Sequence, residues 1–341
     1  MVEKPKKINI AFNGFGRVGR NLVRKLITDD RYNIVAINAR TTVNVRAHLF
    51  KHDSVHGKFN GDVSFKLNNL IIDGHTIPNF SRKTPATLPW GELEVDFVID
   101  STGKFTNKHD IEQHIEAGAK NVIVTSPAKD VDATLVYGVN ETDYKVQENN
   151  IISASSCTTT SLTPILKVIQ KNYGIKHGSI TTVHSFTMGQ TLLDSSHPDL
   201  RRARAATMSM IPTSTGAARN VGLVIPELEG KLDGLSIRVP VPNVSILDIS
   251  LELDKDTTVE KVHDIFTAEA KNKMQGIISI NTEPLVSTDY IGNPYSAIID
   301  SLSTNVIDKR FLKLLIWYDN EYGYCCRVLD LLQYLTEKLK L

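Results

Sequence analysis

A chain of 341 residues, 41% apolar and 23% charged, is long enough for two domains with full cores and has the balance of a soluble globular protein. Its net charge of +1 gives no reason to expect nucleic acid or an acidic membrane as a partner, and no stretch approaches the roughly 20 apolar residues of a membrane span. Cys157, Cys325 and Cys326 form neither a disulfide framework nor, with the ten histidines, a metal site, and the charged start followed at once by a strand pattern is no secretory signal; a reducing cytoplasm is expected, with no metal.

In chain order, residues 8–12 are a short apolar run. Asn13-Gly14-Phe15-Gly16-Arg17-Val18-Gly19-Arg20 follows, then a helical pattern of Val18, Leu22, Val23, Leu26 and Ile27, then a second apolar run at 33–37. Strand, glycine turn, helix and strand in that order suit a pyrophosphate seated on the helix N-terminus; a tight turn without a ligand is the plainer reading. An acid is expected about 20 residues on, to bind the adenine ribose 2′-hydroxyl. The position reads Asn38-Ala39-Arg40-Thr41-Thr42 and holds no carboxylate. A carboxylate repels a 2′-phosphate and an arginine pairs with one, so NADP, or both NADP and NAD, is the expected cofactor. Arg40 as a solvated loop charge is the alternative.

Residues 46–58 read as a helix and a loop, and 63–78 as a hairpin turning at Asp73-Gly74. A parallel-type strand at 95–100 ends in Ser101-Thr102-Gly103, at the sheet edge where cofactors bind; 111–118 is helical, and a strand at 121–125 ends with Thr125 before Ser126-Pro127. Repeated strand–helix alternation to residue 150 indicates an α/β, doubly wound parallel sheet.

At 151–162 an apolar pair gives way to hydroxyl residues around Cys157. Leu162, Ile165, Leu166 and Ile169 then recur at helical spacing, with Gly174 placed to end the helix. Cys157 is therefore expected at a helix N-terminus, which favours a thiolate. A buried structural cysteine is the rival, and five Ser or Thr neighbours speak against an apolar setting. Beyond it, 179–185 and 235–253 are β-rich, which suits a second, mixed or antiparallel domain. The long segment 188–212 carries Arg201, Arg202 and Arg204, suited to phosphate, a subunit contact or a solvated face. Pro212-Thr213-Ser214-Thr215-Gly216 precedes a helix as a candidate anion cradle, and 328–341 is an amphipathic helix.

Several stretches together resemble the phosphorylating glyceraldehyde-3-phosphate dehydrogenases. They are the glycine turn at 13–20, Ser156-Cys-Thr-Thr159, Thr181-Thr-Val-His184, Asp199-Leu-Arg-Arg-Ala-Arg-Ala-Ala206, Pro212-Thr-Ser-Thr-Gly216, Arg238-Val-Pro-Val-Pro-Asn-Val-Ser245 and Trp317-Tyr-Asp-Asn-Glu-Tyr-Gly323. They stand in the family's order and span nearly the whole chain. The resemblance implies a Rossmann-type domain, 1–156, completed by a C-terminal helix, 325–341, and an α+β catalytic domain, 157–324, with a mixed, mainly antiparallel sheet. Cys157 is then the nucleophile and His184 the base; hydride passes to nicotinamide and inorganic phosphate cleaves the thioester.

By the same resemblance Thr187 and Arg238 hold the substrate phosphate, and Ser156, Thr158, Thr215, Gly216 and Arg202 the attacking one. Gly14, Phe15, Gly16, Arg17, Val18, Asn38, Ala39, Arg40, Thr102, Gly103, Thr125 and Ser196 belong to the cofactor site. Asn320 lies against the nicotinamide carboxamide with Tyr324 nearby. The segment 188–212 becomes the loop at the core of a homotetramer.

Some positions depart from the pattern. Ala39 stands for the Asp of NAD-using members, and Ser196 for a Pro, both leaning toward NADP. Ala154, Thr160 and Ser161 replace Asn, Asn and Cys, and Gly189 a Thr. Two other readings stay open. One is erythrose-4-phosphate dehydrogenase, from which Thr187 and Gly216 argue away. The other is a non-catalytic nucleotide- or partner-binding protein, from which Cys157 and His184 argue away.

Overall fold

The computed structural model describes residues 7–341. They divide into two compact units, one holding residues up to Leu135 with 141–155 and 328–341, the other 136–140 and 156–327. The boundary differs from the expected one at 136–140. Val136 and Val139 pack with Leu162, Ile165 and Leu166 in the core of the second unit, and that burial carries the five residues with it.

The first unit opens with β1 (Ile8–Asn13), α1 (Arg17–Leu26), β2 (Tyr32–Asn38) and α2 (Val43–Lys51). A meander follows, β3 (Val63–Lys66), β4 (Asn69–Ile72) and β5 (His75–Phe80), then β6 (Phe97–Asp100), α3 (Lys108–Glu116), β7 (Asn121–Val124), β8 (Ala133–Thr134) and β9 (Ile151–Ser153). The sheet runs β3-β4-β5-β2-β1-β6-β7-β9-β8. From β5 to β8 every pairing is parallel, and β3 and β4 add an antiparallel edge. The expected single hairpin is thus two. Asp73-Gly74 makes one turn, and Leu67, with φ +55°, makes the other. β6 and β7 are buried at every residue, as strands of a doubly wound sheet must be, and α3 packs on β7 and β9.

In the second unit come α4 (Cys157–Tyr173), β10 (Ile175–Ser185), β11 (Ile211–Ser214), α5 (Ala217–Val224), β12 (Leu232–Val239) and β13 (Ser245–Leu253). They are followed by α6 (Val259–Lys271), β14 (Ile278–Asn281), β15 (Ala297–Asp300), β16 (Asn305–Ile307) and β17 (Phe311–Tyr318); α7 (Tyr322–Leu339) begins in this unit and from residue 328 belongs to the first. The sheet order is β11-β12-β10-β13-β17-β15-β14, with β16 on β17. Only β10–β12 and β14–β15 are parallel, so the sheet is mixed and mainly antiparallel. Strict alternation in β13 and β17 turns Leu247, Ile249, Leu251, Leu314 and Ile316 into the core, where α4 packs on β10, β13 and β15. Gly174 ends α4 at φ +71°, a conformation that suits glycine. The last helix starts at Tyr322, three residues before the expected 325.

Candidate active site

In the first unit the carboxyl ends of β1, β2 and β6 open onto a pocket of about 350 Å³. Of the residues expected at the cofactor site, Gly14, Phe15, Gly16, Asn38, Ala39, Arg40 and Thr102 line it, and Asn13 joins them. Gly14 has φ +103°, and a Cβ there would lie 2.7 Å from the Ser101 carbonyl carbon, so only glycine closes this turn. A Cβ on Gly16 would meet nothing within 4 Å, so the space above it is open to a ligand. Gly16 caps α1 without a side-chain hydrogen bond, and the first turn holds no acid. The helix start therefore turns the positive end of its dipole toward an anion, with no acid of its own to oppose it. These features fit a dinucleotide pyrophosphate.

Arg17, Val18, Gly103 and Thr125 do not line the pocket. The Arg17 guanidinium pairs with Asp53, and the Thr125 hydroxyl donates to the Asp100 carbonyl at 3.2 Å. Burial alone would raise the Asp53 carboxyl, but amides of His56 and Val55 together with Arg17 hold it down at about 2. Sequence reasoning missed Arg20, Arg46, Arg82, Lys83 and Lys104, which add to the pocket's positive lining. They come from four different segments, so no local motif announces them. Arg46 is spent on structure, donating to Asn79 Oδ1 at 2.6 Å and to the carbonyls of Ala39 and Phe80; burial pushes it down to about 10.

In the second unit Cys157 is the first residue of α4. Ser156 caps the helix, its Oγ accepting from the Thr159 amide at 3.1 Å. Ser155, just before, is a non-glycine residue at φ +58°, a strained turn that sets the helix start. Cys157 Sγ lies 3.5 Å from His184 Nε2. The parallel register of β10 and β12 pairs His184 with Arg238, which places the guanidinium beside the imidazole. Tyr318, from β17, bridges Thr158 Oγ1 at 3.0 Å and Thr182 Oγ1 at 2.9 Å and so ties α4 to the sheet. In the sequence Tyr318 has no role beyond its place in a motif.

His184 Nδ1 has two neighbours, the Ser185 carbonyl at 2.7 Å and Arg238 Nη1 at 2.6 Å. A carbonyl only accepts and a guanidinium only donates, so Nδ1 serves one at a time. With its proton on Nδ1, donated to Ser185, the ring turns a free Nε2 lone pair on Cys157. Burial first, and the charge of Arg238 second, push the imidazolium down to about 3. Burial likewise raises the Cys157 thiol, while Arg238 and hydrogen bonds from Thr158 pull the other way. Cys157 is only half-buried, so solvent tempers the upward push. Burial thus opposes the thiolate that a helix N-terminus alone favours.

The remaining expected residues are spread over this unit. Thr187 and Ser196 are exposed. Arg202 donates through Nε to Thr213 Oγ1 at 2.9 Å. Thr215 and Gly216 stand at the start of α5, which packs against α4 and has no side-chain cap. Asn320 Oδ1 accepts from Ser185 Oγ at 3.0 Å and Ser245 Oγ at 2.9 Å, which fixes the amide's orientation. Tyr324 is buried on α7. The buried hydroxyls of Thr160 and Ser161 make no hydrogen bond among the described residues, and nothing in the structure explains them.

A dinucleotide-binding fold with a cradle suited to pyrophosphate, and a cysteine within reach of a buried histidine, are features of a nicotinamide-dependent oxidoreductase. Residues 8–108 match the family of the glyceraldehyde 3-phosphate dehydrogenase NAD binding domain, and residues 156–320 that enzyme's C-terminal domain. The chain is 49% identical to glyceraldehyde-3-phosphate dehydrogenase of Geobacillus stearothermophilus, over 97% of this chain and 99% of the relative. The corresponding protein of Priestia megaterium is 50% identical over the same shares. Glyceraldehyde-3-phosphate dehydrogenase 2 of Bacillus subtilis is 47% identical over 98% of both chains. The chain belongs to the glyceraldehyde-3-phosphate dehydrogenase family, and its cofactor is NAD(P).

Proposed function

We propose that the chain oxidises glyceraldehyde 3-phosphate to 1,3-bisphosphoglycerate with inorganic phosphate, in glycolysis or gluconeogenesis. The observation that carries this reading is Cys157 Sγ 3.5 Å from His184 Nε2, with Arg238 alongside. His184 Nε2 takes the thiol proton as sulfur bonds to the aldehyde carbon and returns it to the carbonyl oxygen, giving a hemithioacetal and a neutral imidazole. A bound nicotinamide would supply the acceptor for the hydride that this carbon loses. His184 receives the hydroxyl proton at the same stage, and a thioester remains on Cys157. A phosphate oxygen then attacks the thioester carbon, the C–S bond breaks, and Cys157 departs as thiolate.

Arg238 suits the substrate phosphate with Thr187, since a guanidinium pairs with phosphate through charge-assisted hydrogen bonds. An anion that draws its charge away from His184 also makes the imidazole a better base. Ser156, Thr158, Arg202, Thr215 and Gly216 are the proposed contacts of the attacking phosphate, and Asn320 and Tyr324 those of the nicotinamide end. The cofactor lining of Arg40, Arg82 and Lys83, with Ala39 in place of an acid, supports NADP or dual use. We assign cofactor binding to the first unit and chemistry to the second. In the segment 188–212 Met188 is 91% and Leu200 82% exposed, with Leu193 and Met208 close behind, which supports a homotetramer that covers them. A cytoplasmic setting suits the three free cysteines.

The test is steady-state kinetics with phosphate, with each nicotinamide cofactor, on the triose and on erythrose 4-phosphate. A larger kcat/KM for the triose is expected. A larger value for the tetrose makes the chain an erythrose-4-phosphate dehydrogenase, and no reduction of either cofactor makes it a binding protein on this scaffold.

A further inference from the structure

Beneath the cofactor pocket runs a chain of buried polar side chains that the proposed reaction does not use. Trp90 and His114 are fully buried, Asp100 and Asn13 nearly so, and Asn38 is 5% exposed. Trp90 Nε1 lies 2.9 Å from His114 Nδ1. An indole N–H only donates, so Nδ1 accepts and the ring proton sits on Nε2. His114 Nε2 then donates to Asp100 Oδ2 at 3.2 Å, which also accepts from Asn13 Nδ2 at 2.7 Å. Asp100 Oδ1 accepts from the Thr102 amide at 2.9 Å and the Thr102 hydroxyl at 2.7 Å.

The direction of each bond propagates to the next. Asn13 spends its NH2 group on Asp100, so its Oδ1 accepts from Asn38 Nδ2 at 2.7 Å. Asn38 Oδ1 in turn accepts from the Arg82 amide at 2.8 Å. Two donor chains therefore converge on Asp100 at the carboxyl ends of β6, β1 and β2, one from Trp90 through His114 and one from the Arg82 amide through Asn38 and Asn13. Four members of the network, Thr102, Asn13, Asn38 and Arg82, line the pocket, whereas Trp90 and His114 do not. Reversing any one link would set two donors or two acceptors against each other in a dry interior, which costs more than losing a bond in water.

We propose that Trp90 and His114 are positioning residues for the nicotinamide cofactor. Trp90 locks the His114 tautomer, and His114 through Asp100 fixes the loop at Thr102 and the amides of Asn13 and Asn38 that face the dinucleotide. The inference rests on the dinucleotide occupying this pocket.

The test is dissociation constants for NAD and NADP, measured by titration calorimetry on the full-length protein without substrate. The rate of Cys157 alkylation by iodoacetamide, without cofactor, is the control. Trp90→Phe keeps a ring in place but removes the donor, and about twofold to tenfold weaker binding is expected. His114→Leu removes both bonds and orphans one site of Asp100, for a loss of about tenfold to hundredfold. His114→Gln supplies one donor and one acceptor and is expected to bind within about threefold of the parent. Alkylation is expected to stay at the parent rate throughout. Unchanged binding in Trp90→Phe and His114→Leu overturns the inference, as does a fall in binding matched by a shift in alkylation, which would mean general loosening. If His114→Leu does not fold, Trp90→Phe decides. A parent protein that binds neither nucleotide removes the cofactor assignment and this inference together; a parent that binds, with unaltered variants, removes the inference alone.

Discussion

Each unit begins its site at a helix N-terminus, and the two are finished in opposite ways. α1 starts at Gly16 with no side-chain cap and no acid in its first turn. α4 starts at Ser156, whose hydroxyl already takes the Thr159 amide. An uncapped start leaves the positive end of its dipole to a ligand that comes and goes. A capped start spends a donor on itself and holds one residue, Cys157, in a fixed place. The first site is therefore built of backbone and of small residues that keep out of the way. The second is built of side chains that must be present and aligned. Adding an atom should damage the first, and removing one should damage the second.

The largest effect expected from that contrast is in the second unit. Cys157→Ser exchanges sulfur for oxygen and should lower kcat by roughly four to six orders of magnitude, as removal of a covalent nucleophile does elsewhere. Cofactor affinity, measured by calorimetry, should change by less than about twofold. Loss of affinity alongside activity would show that the two sites do not divide the work in this way. The converse is Gly14→Ala. The new methyl would meet the Ser101 carbonyl carbon at 2.7 Å on a residue at φ +103°. A destabilisation of about 1–3 kcal/mol, read by denaturant unfolding, and cofactor binding weakened about tenfold or more are expected. Cys157 alkylation without cofactor should be unaltered. A Gly14→Ala protein that binds cofactor as the parent does would break the contrast from the other side.

The same contrast explains what the sequence discloses. A backbone site is local: the glycine turn occupies 13–20, and its strand and helix flank it directly, so residues adjacent in the chain suffice to find it. Cys157 is likewise visible as a helix start. Its partners are not, because 27 residues separate it from His184, 54 separate His184 from Arg238, and 160 separate Thr158 from Tyr318. The β10–β12 register brings the second of these pairs together, and register is a property of two distant strands. Family resemblance supplied His184 and Arg238 where periodicity had no purchase. It offered nothing for Trp90, His114 and Asp100, because each looks like an ordinary buried or strand-end side chain. The upward push on the Cys157 thiol was hidden for a similar reason. Helix position favours a thiolate, but the burial that opposes it comes from packing.

The smallest effect lies at the mouth of the first site, where one side chain matters more than backbone. Arg40 is exposed, and among the described residues no carboxylate pairs with it. Arg46 cannot substitute, since its donors serve Asn79, Ala39 and Phe80. Arg40→Ala should raise KM for NADP about threefold to tenfold and leave KM for NAD within about twofold, because an exposed charge pair is screened by solvent. The selective loss should shrink as salt is added, which separates a charge effect from a change in shape. An equal loss with both cofactors would assign the charge of Arg40 to the pyrophosphate they share. Discrimination would then rest on Ala39, where a carboxylate is missing: a site accepts a 2′-phosphate in part by not repelling it.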